Sequence, residues 1–139
     1  TIFYRNLSNI NKDHEVNDNV SFLAPIMDSF YNPEQITGTI LERWKKWFIS
    51  YRQRLQEETI THQERKIAMD KVNPKYVLRN YMSQLAIDAA DKADYSLIDE
   101  LYTMLKNPYN EQPAYQKWFT KRPEWARHKV GCSMLSCSS

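Results

Sequence analysis

Glycine is nearly absent, with two residues in 139 where average usage near 7% would give about ten. That scarcity excludes glycine-rich phosphate loops and glycine-built β-turns, and it favours helices joined through Asn, Ser and Pro. Cysteine is equally rare: Cys132 and Cys137 both fall in the last eight residues, so no disulfide framework staples the fold. No apolar run approaches the ~20 residues of a membrane-spanning helix; the longest stop at three or four residues. A basic-then-apolar leader is also lacking, so nothing marks secretion. Neither sign of charge dominates, with 19 Lys and Arg against 17 Asp and Glu, a net charge of +2 and a pI near 8.5. Interleaved charge of that kind argues against a nucleic-acid binder, which usually shows a basic patch or a pI above ~9. The first residue is Thr1 rather than an initiator Met, which reads as a piece of a longer protein.

What is present reads as helix. The mass of 16.6 kDa is a single-domain length. Leu, Ile, Val and Phe supply 30 of the 139 residues, or 22%, enough for a core but a lean one. Thr1 to Leu7 can be a short helix or a docking strand, and the Asn-rich stretch from Asn9 to Asn19 reads as a loop. Phe22, Leu23, Ile26, Met27 and Phe30 recur at helical spacing. The strongest signal follows. Asn32 is a good N-cap, Pro33 suits the first helical position, and Gln35 completes a capping arrangement. From there Ile36, Ile40, Trp44, Trp47, Phe48, Tyr51 and Leu55 lay one aromatic-rich face along some 25 residues.

Three more helix starts appear downstream. Thr61 with Glu64 forms a capping box ahead of Ile67 and Met69. Asn73-Pro74 repeats the cap-then-proline signal, with Val77, Leu78, Tyr81, Met82 and Leu85 inside and an end near Lys92. Ser96 caps a helix holding Ile98, Leu101 and Leu105, which Asn107-Pro108 stops. Short helices near 113–120 and 123–129 close the ordered part. The expectation is an all-α fold, an irregular bundle of five to seven helices over residues 1–129, with an extended tail over 130–139.

Chemistry is hard to find. His14, His62 and His128 are far apart, and none has partners at metal-ligand spacing. Asp88 and Asp91 read as solvated carboxylates on a charged helix face. No nucleophile-elbow glycine flanks a serine, and no kinase-type loop or catalytic motif occurs. The aromatic stripe reads as core, so Trp47→Ala is expected to cost about 3–5 kcal/mol; the alternative is packing on a domain outside this chain. The tail is the one reactive feature. Arg127, His128 and Lys129 precede the thiols of Cys132 and Cys137 and would favour the thiolate. The two thiols can meet each other or reach a third, or they are ordinary free cysteines on a frayed end.

Four blocks carry a family resemblance. Asn73-Pro74-Lys75-Tyr76-Val77-Leu78-Arg79-Asn80-Tyr81 resembles an NP-x-x-VLRNY block, and Pro108-Tyr109-Asn110-Glu111-Gln112-Pro113 a PY-x-EQP block. Arg122-Pro123-Glu124-Trp125 and the terminal Cys137-Ser138-Ser139 match the same family's later segments. The family is that of the selenoprotein O protein adenylyltransferases, and the resemblance is strong from about residue 73 and loose before it. It implies a parent with a kinase-like (pseudokinase) fold that binds ATP in a flipped orientation, uses Mg²⁺, and transfers AMP to Ser, Thr or Tyr hydroxyls of proteins. The nucleotide and metal residues would lie upstream, so no catalytic, cofactor-binding or metal-binding residue carries over onto this chain. Its partners would be the missing N-terminal kinase-like domain of the same protein and, through the parent, protein substrates, with no nucleic acid and no membrane. The compartment implied is the cytoplasm, or the mitochondrion in a eukaryotic source.

One position does carry over: Cys137 stands where animal members have selenocysteine, a position regarded as redox-active. Here four residues separate it from Cys132, rather than the two of Cys-x-x-selenocysteine. A Cys132–Cys137 bridge and a bridge from Cys137 to a remote cysteine both stay open. Ala93-Asp94 stands where the family pattern has Gly-Asp. Three functions follow: the non-catalytic C-terminal helical region of an adenylyltransferase, a free-standing helical protein-interaction module, or a small thiol oxidoreductase. The last would have to act from a tail that is poor scaffolding for a reactive thiol.

Overall fold

The structure, a computed structural model, describes residues 1–132. Among these there is no strand: five α-helices and four 3-10 helices make an all-α fold. The helices are α1 (Ile2–Leu7), α2 (Gly38–Gln56), α3 (His62–Val72), α4 (Asn80–Ala90) and α5 (Ser96–Leu105). The 3-10 turns are Val20–Ser29, Pro33–Gln35, Pro113–Trp118 and Glu124–Arg127. The chain groups into two compact units, Thr1–Asn73 and a second beginning at Pro74. The sequence, read as one helical domain over 1–129, shows no linker at that boundary.

In the first unit α1 packs on the Val20–Ser29 turn and on α3. Leu7, Ile10, Phe22, Leu23, Ile26 and Phe48 are buried together there. Asn19 caps the Val20–Ser29 segment by accepting from the Ser21 N–H at 2.8 Å. Pro25 sits within the segment, where its missing N–H breaks an α-helical ladder and leaves the tighter winding. The capping box ahead of α3 forms as the sequence predicts: the Glu64 N–H donates to Thr61 Oγ1, and the Thr61 N–H to Glu64 Oε2. The Thr61 N–H and the Thr61 hydroxyl, each donating to Glu64 Oε2 at 2.8 Å, hold the Glu64 carboxyl below its usual pKa.

Two expected helix starts move. Asn32-Pro33 opens only the Pro33–Gln35 turn, and α2 begins at Gly38, whose φ of +51° is left-handed. A residue in that region cannot continue a right-handed helix, so the 25-residue stripe is cut to the 19 residues of α2. Asn73-Pro74 starts no helix at all. Asn73 instead ends α3, its side chain donating to the Met69 carbonyl at 2.9 Å, and α4 waits until Asn80.

In the second unit α4 packs on α5, with Tyr76, Tyr81, Met82, Leu101 and Met104 at its centre. The N-cap position of α5 falls to Tyr95 rather than Ser96, which is the first helical residue and donates its N–H to the Asp94 carboxylate at 3.0 Å. The described part of the expected tail, Val130–Cys132, forms turns, with the Cys132 N–H donating to the Lys129 carbonyl at 3.1 Å. Residues 133–139, Cys137 among them, lie outside the described residues.

The burial along α2 also departs from expectation. Phe48 is 1% and Leu55 5% exposed, but Trp47 is 38% and Ile40 48% exposed. The core line runs through Leu41, Trp44, Phe48, Tyr51 and Leu55, a step away from the line drawn through Ile40 and Trp47. Phe48 meets Phe22 edge-on with centroids 5.3 Å apart. Phe48→Ala should therefore cost about 3–5 kcal/mol. Trp47→Ala should cost roughly 1–2 kcal/mol, since part of its ring is already in water. Urea unfolding of the two variants checks the order.

Ala93 is the sole non-glycine residue with positive φ (+61°) among those described. It occupies the left-handed position that closes α4. Its N–H donates to the Ala90 carbonyl at 2.8 Å and the Asp94 N–H to the Ala89 carbonyl at 3.1 Å, the paired bonds of a Schellman ending. A side chain there costs roughly 1–2 kcal/mol relative to a right-handed residue. Ala93→Gly should raise stability by about 1 kcal/mol, seen as a thermal midpoint several degrees higher.

Candidate functional site

Three arrangements could serve a function. The first is a groove in the unit Thr1–Asn73, about 510 Å³ in volume, lined by Phe3, Tyr4, Leu7, Ile40, Arg43, Trp44 and Trp47. It forms because α1 places Phe3 against α2, with ring centroids 6.1 Å from Trp44 and 6.0 Å from Trp47. Trp44 and Trp47 meet edge-on at 5.6 Å, and Trp47 stacks on Tyr51 at 5.2 Å. The walls are rigid aromatic surface, open to solvent at Tyr4 and Ile40. In the second unit, α4 and α5 leave an apolar trough of about 420 Å³ whose walls include Leu78, Ile87, Ile98 and Tyr102.

The second arrangement is a pair of buried guanidinium groups. Arg5 donates to the carbonyls of Asp70 at 2.8 Å and Asn73 at 3.1 Å, satisfying acceptors at the C-terminal end of α3. Ser8 and Lys66 meet the Asp70 carboxylate beside it, at 3.0 and 2.7 Å. Arg65 donates to the Ile10 carbonyl, to Tyr51 Oη at 3.2 Å and to His62 Nδ1 at 3.1 Å. Burial raises the Tyr51 pKa, with Arg65 acting against it. Partial burial, then Arg65 and Lys66, lowers that of His62. These cations anchor loops, and nothing in their bonding resembles a phosphate cradle.

The third arrangement is made by the motif blocks. The N–H groups of Lys75 and Tyr76 both donate to the Pro108 carbonyl, at 2.8 and 3.0 Å. Tyr76 Oη donates to the Gln112 carbonyl at 2.9 Å, and Gln112 Nε2 donates to the carbonyls of Met104 and Asn107 at 3.0 and 2.9 Å. Lys75, 8% exposed, pairs with Glu111 and lies over the rings of Tyr76 and Phe119 at 5.7 and 5.1 Å. The two blocks are thus one clasp joining the approach to α4 with the exit of α5. Periodicity could not show this, because the bonds from Lys75 and Tyr76 reach residues more than 30 positions away.

The remaining predicted residues scatter. His14 donates from Nε2 to the Phe22 carbonyl at 2.6 Å and stacks near Phe48, a structural role. Asp88, expected to be solvated, instead accepts from Lys129 and from Gln84, and these bonds lower its pKa. Cys132 is buried at 3% exposure among the second unit's core residues. No group of three or more His, Cys, Asp or Glu among the described residues is placed to hold a metal ion. No helix among them is long and apolar enough to cross a membrane.

Comparison with known proteins gives these arrangements a family. The family model described as "Protein adenylyltransferase SelO" matches residues 1–106. The chain belongs to the SelO family. It is 58% identical over all 139 residues to a protein nucleotidyltransferase YdiU of Flavobacterium johnsoniae. Proteins of the same name from Aromatoleum aromaticum and Rhodopirellula baltica are 40% and 42% identical, again covering the whole chain. The chain spans about a quarter of the length of these relatives: 26%, 25% and 27%. The family match takes in the first unit, where the motif resemblance is loose, and stops short of the PY-x-EQP block, where it is strong.

The clasp makes an asymmetric prediction. Removing Glu111 leaves a buried ammonium without its carboxylate, so Glu111→Ala should cost about 1–3 kcal/mol. Removing Lys75 leaves a carboxylate that is 63% exposed and water can solvate. Lys75→Met, which keeps the aliphatic packing against both rings, should cost less than about 1.5 kcal/mol. Chemical denaturation that reverses this order would show that the pair does not hold the clasp.

Proposed function

We propose that these 139 residues are the C-terminal helical region of a protein adenylyltransferase, and that they contribute structure and regulation rather than reacting groups. The observation that carries this reading is family membership along the whole chain, together with the use of the motif residues Pro108, Glu111 and Gln112 in internal bonds. In the full-length protein a Ser, Thr or Tyr hydroxyl of a target protein attacks the α-phosphorus of ATP. A new phosphoester bond forms, the bond to pyrophosphate breaks, and the hydroxyl proton is released. Following the family resemblance, this reading assigns the nucleotide and its metal to the rest of the polypeptide.

Regulation is assigned to the C-terminal thiol. Cys132 is buried, and structural buried cysteines react poorly. The redox reading therefore rests on Cys137: its thiol and that of Cys132 or a remote cysteine would together lose two protons and pass two electrons to a thiol oxidant as the S–S bond forms. The alternative of a free-standing interaction module draws on the exposed aromatic groove. A complete reading frame with an initiator Met just before Thr1 would favour it.

Full-length protein incubated with ATP, Mg²⁺ and a protein acceptor should add an AMP-sized mass to Ser, Thr or Tyr residues, read by mass spectrometry. No transfer to any acceptor, itself included, would overturn the assignment. In the same assay the wild type should respond to reductant and Cys137→Ser should not; equal responses would remove the redox role.

A further inference from the structure

The groove between α1 and α2 is unlike a spent core surface. Tyr4, Ile40 and Trp47 are 57%, 48% and 38% exposed on its walls, and Arg43 stands on its rim without an ion-pair partner among the described residues. Large exposed apolar patches mark interaction sites, and Trp, Tyr and Arg are the residues that dominate binding at such sites. The same unit leaves these rings in water although its apolar supply is small. A surface of this composition is suited to an occupant outside the described residues.

Position selects the occupant. Thr1 caps α1, and Phe3 and Tyr4 are in that helix's first turn, so any polypeptide joined to Thr1 leaves the fold beside the groove. About three-quarters of the length of the relatives lies outside the matched region. A tethered segment binds at high effective concentration, so a small apolar groove holds it. A volume near 510 Å³ is that of a pocket for one small molecule, room for a few side chains. A stable dimer needs about 800 Å² on each partner, far more than one such groove provides.

We infer that the α1–α2 groove docks a segment of the full-length protein outside these 139 residues. That segment lays an aliphatic or aromatic anchor over the exposed surfaces of Tyr4, Ile40 and Trp47 and sets a carboxylate against Arg43. The inference deepens the proposed function, on which it rests, by locating where the helical region grips the remainder of its own chain.

The test is a photo-crosslinking amino acid placed at position 40 in the full-length protein. Ile40 is half exposed, so the replacement leaves the core intact. Irradiation should join position 40, within a single chain, to a peptide outside residues 1–139. Trp47→Glu and, as a surface variant that spares the fold, Arg43→Glu should each lower that yield at least about fivefold, roughly 1 kcal/mol of docking energy. Overturning results are cross-links confined to residues 1–139, cross-links between two copies in a mixture of heavy- and light-isotope protein, or no cross-link. AMP transfer is assayed on the same samples. Transfer without the intrachain cross-link defeats the groove assignment alone, and the cross-link without transfer defeats the transferase reading alone.

Discussion

A cation taken out of water must meet acceptors that replace its hydration, and in this chain that requirement organises both units. Arg5 and Arg65 reach the carbonyls of Asp70, Asn73 and Ile10, binding α1 and the loop after it to α3. Lys75 does the equivalent work in the second unit, joining Glu111 to the segment before α4. The need for such connectors follows from composition. The chain has thirty Leu, Ile, Val and Phe residues, and several of them, Val72 and Val130 among them, are exposed, so the two cores are lean. Long cationic side chains cover apolar neighbours with their stems and satisfy backbone with their tips. Each is also a point of failure, since an acceptor left without its donor costs more than the bond itself contributes.

Glycine economy imposes the second constraint. Both glycines, Gly38 and Gly131, have positive φ, and a third left-handed position is filled by Ala93. The chain therefore needs at least one left-handed residue more than it has glycines. At Gly38 that freedom separates the Pro33–Gln35 turn from α2 and re-aims the helix. At Gly131 a Cβ would meet only the movable tip of the Gln84 side chain, so it is the φ of +85° that favours glycine there. At Ala93 the Schellman ending forms in spite of the side chain.

These features separate what a sequence shows from what it hides. The Thr61–Glu64 box was legible because every bond in it lies within three residues. The all-α class was legible from spacing and from the lack of glycine. Asn73-Pro74 misled because a cap residue followed by proline describes a turn as well as a helix start. What decides between them is the Pro108 carbonyl, more than 30 residues away, which takes the next two N–H groups. Along α2 the apolar spacing was read correctly to within one residue, yet one residue on a helix is about 100° of rotation. That error turned Trp47 from wall of a groove into core. The family was legible from the order of its motif blocks, while their role as an interlocked clasp needed coordinates.

The clasp differs in kind from a core that only fills space. Residues that only fill a core tolerate volume-conserving exchange, whereas Lys75, Tyr76 and Gln112 act through directional bonds to particular carbonyls. Replacing any of them changes which acceptors are satisfied as well as how much volume is filled. Such a segment holds α4 and α5 in one register, and the exposed trough between those helices keeps its shape only while that register holds. The aromatic groove of the first unit depends in the same way on α1, whose six residues are too few to be stable alone. Arg5, in the middle of that helix, secures it to the end of α3. The chain thus presents two apolar surfaces, each positioned by a buried polar contact far from it in sequence, and the stiffness of those contacts is what turns a lean helical fold into a shaped one.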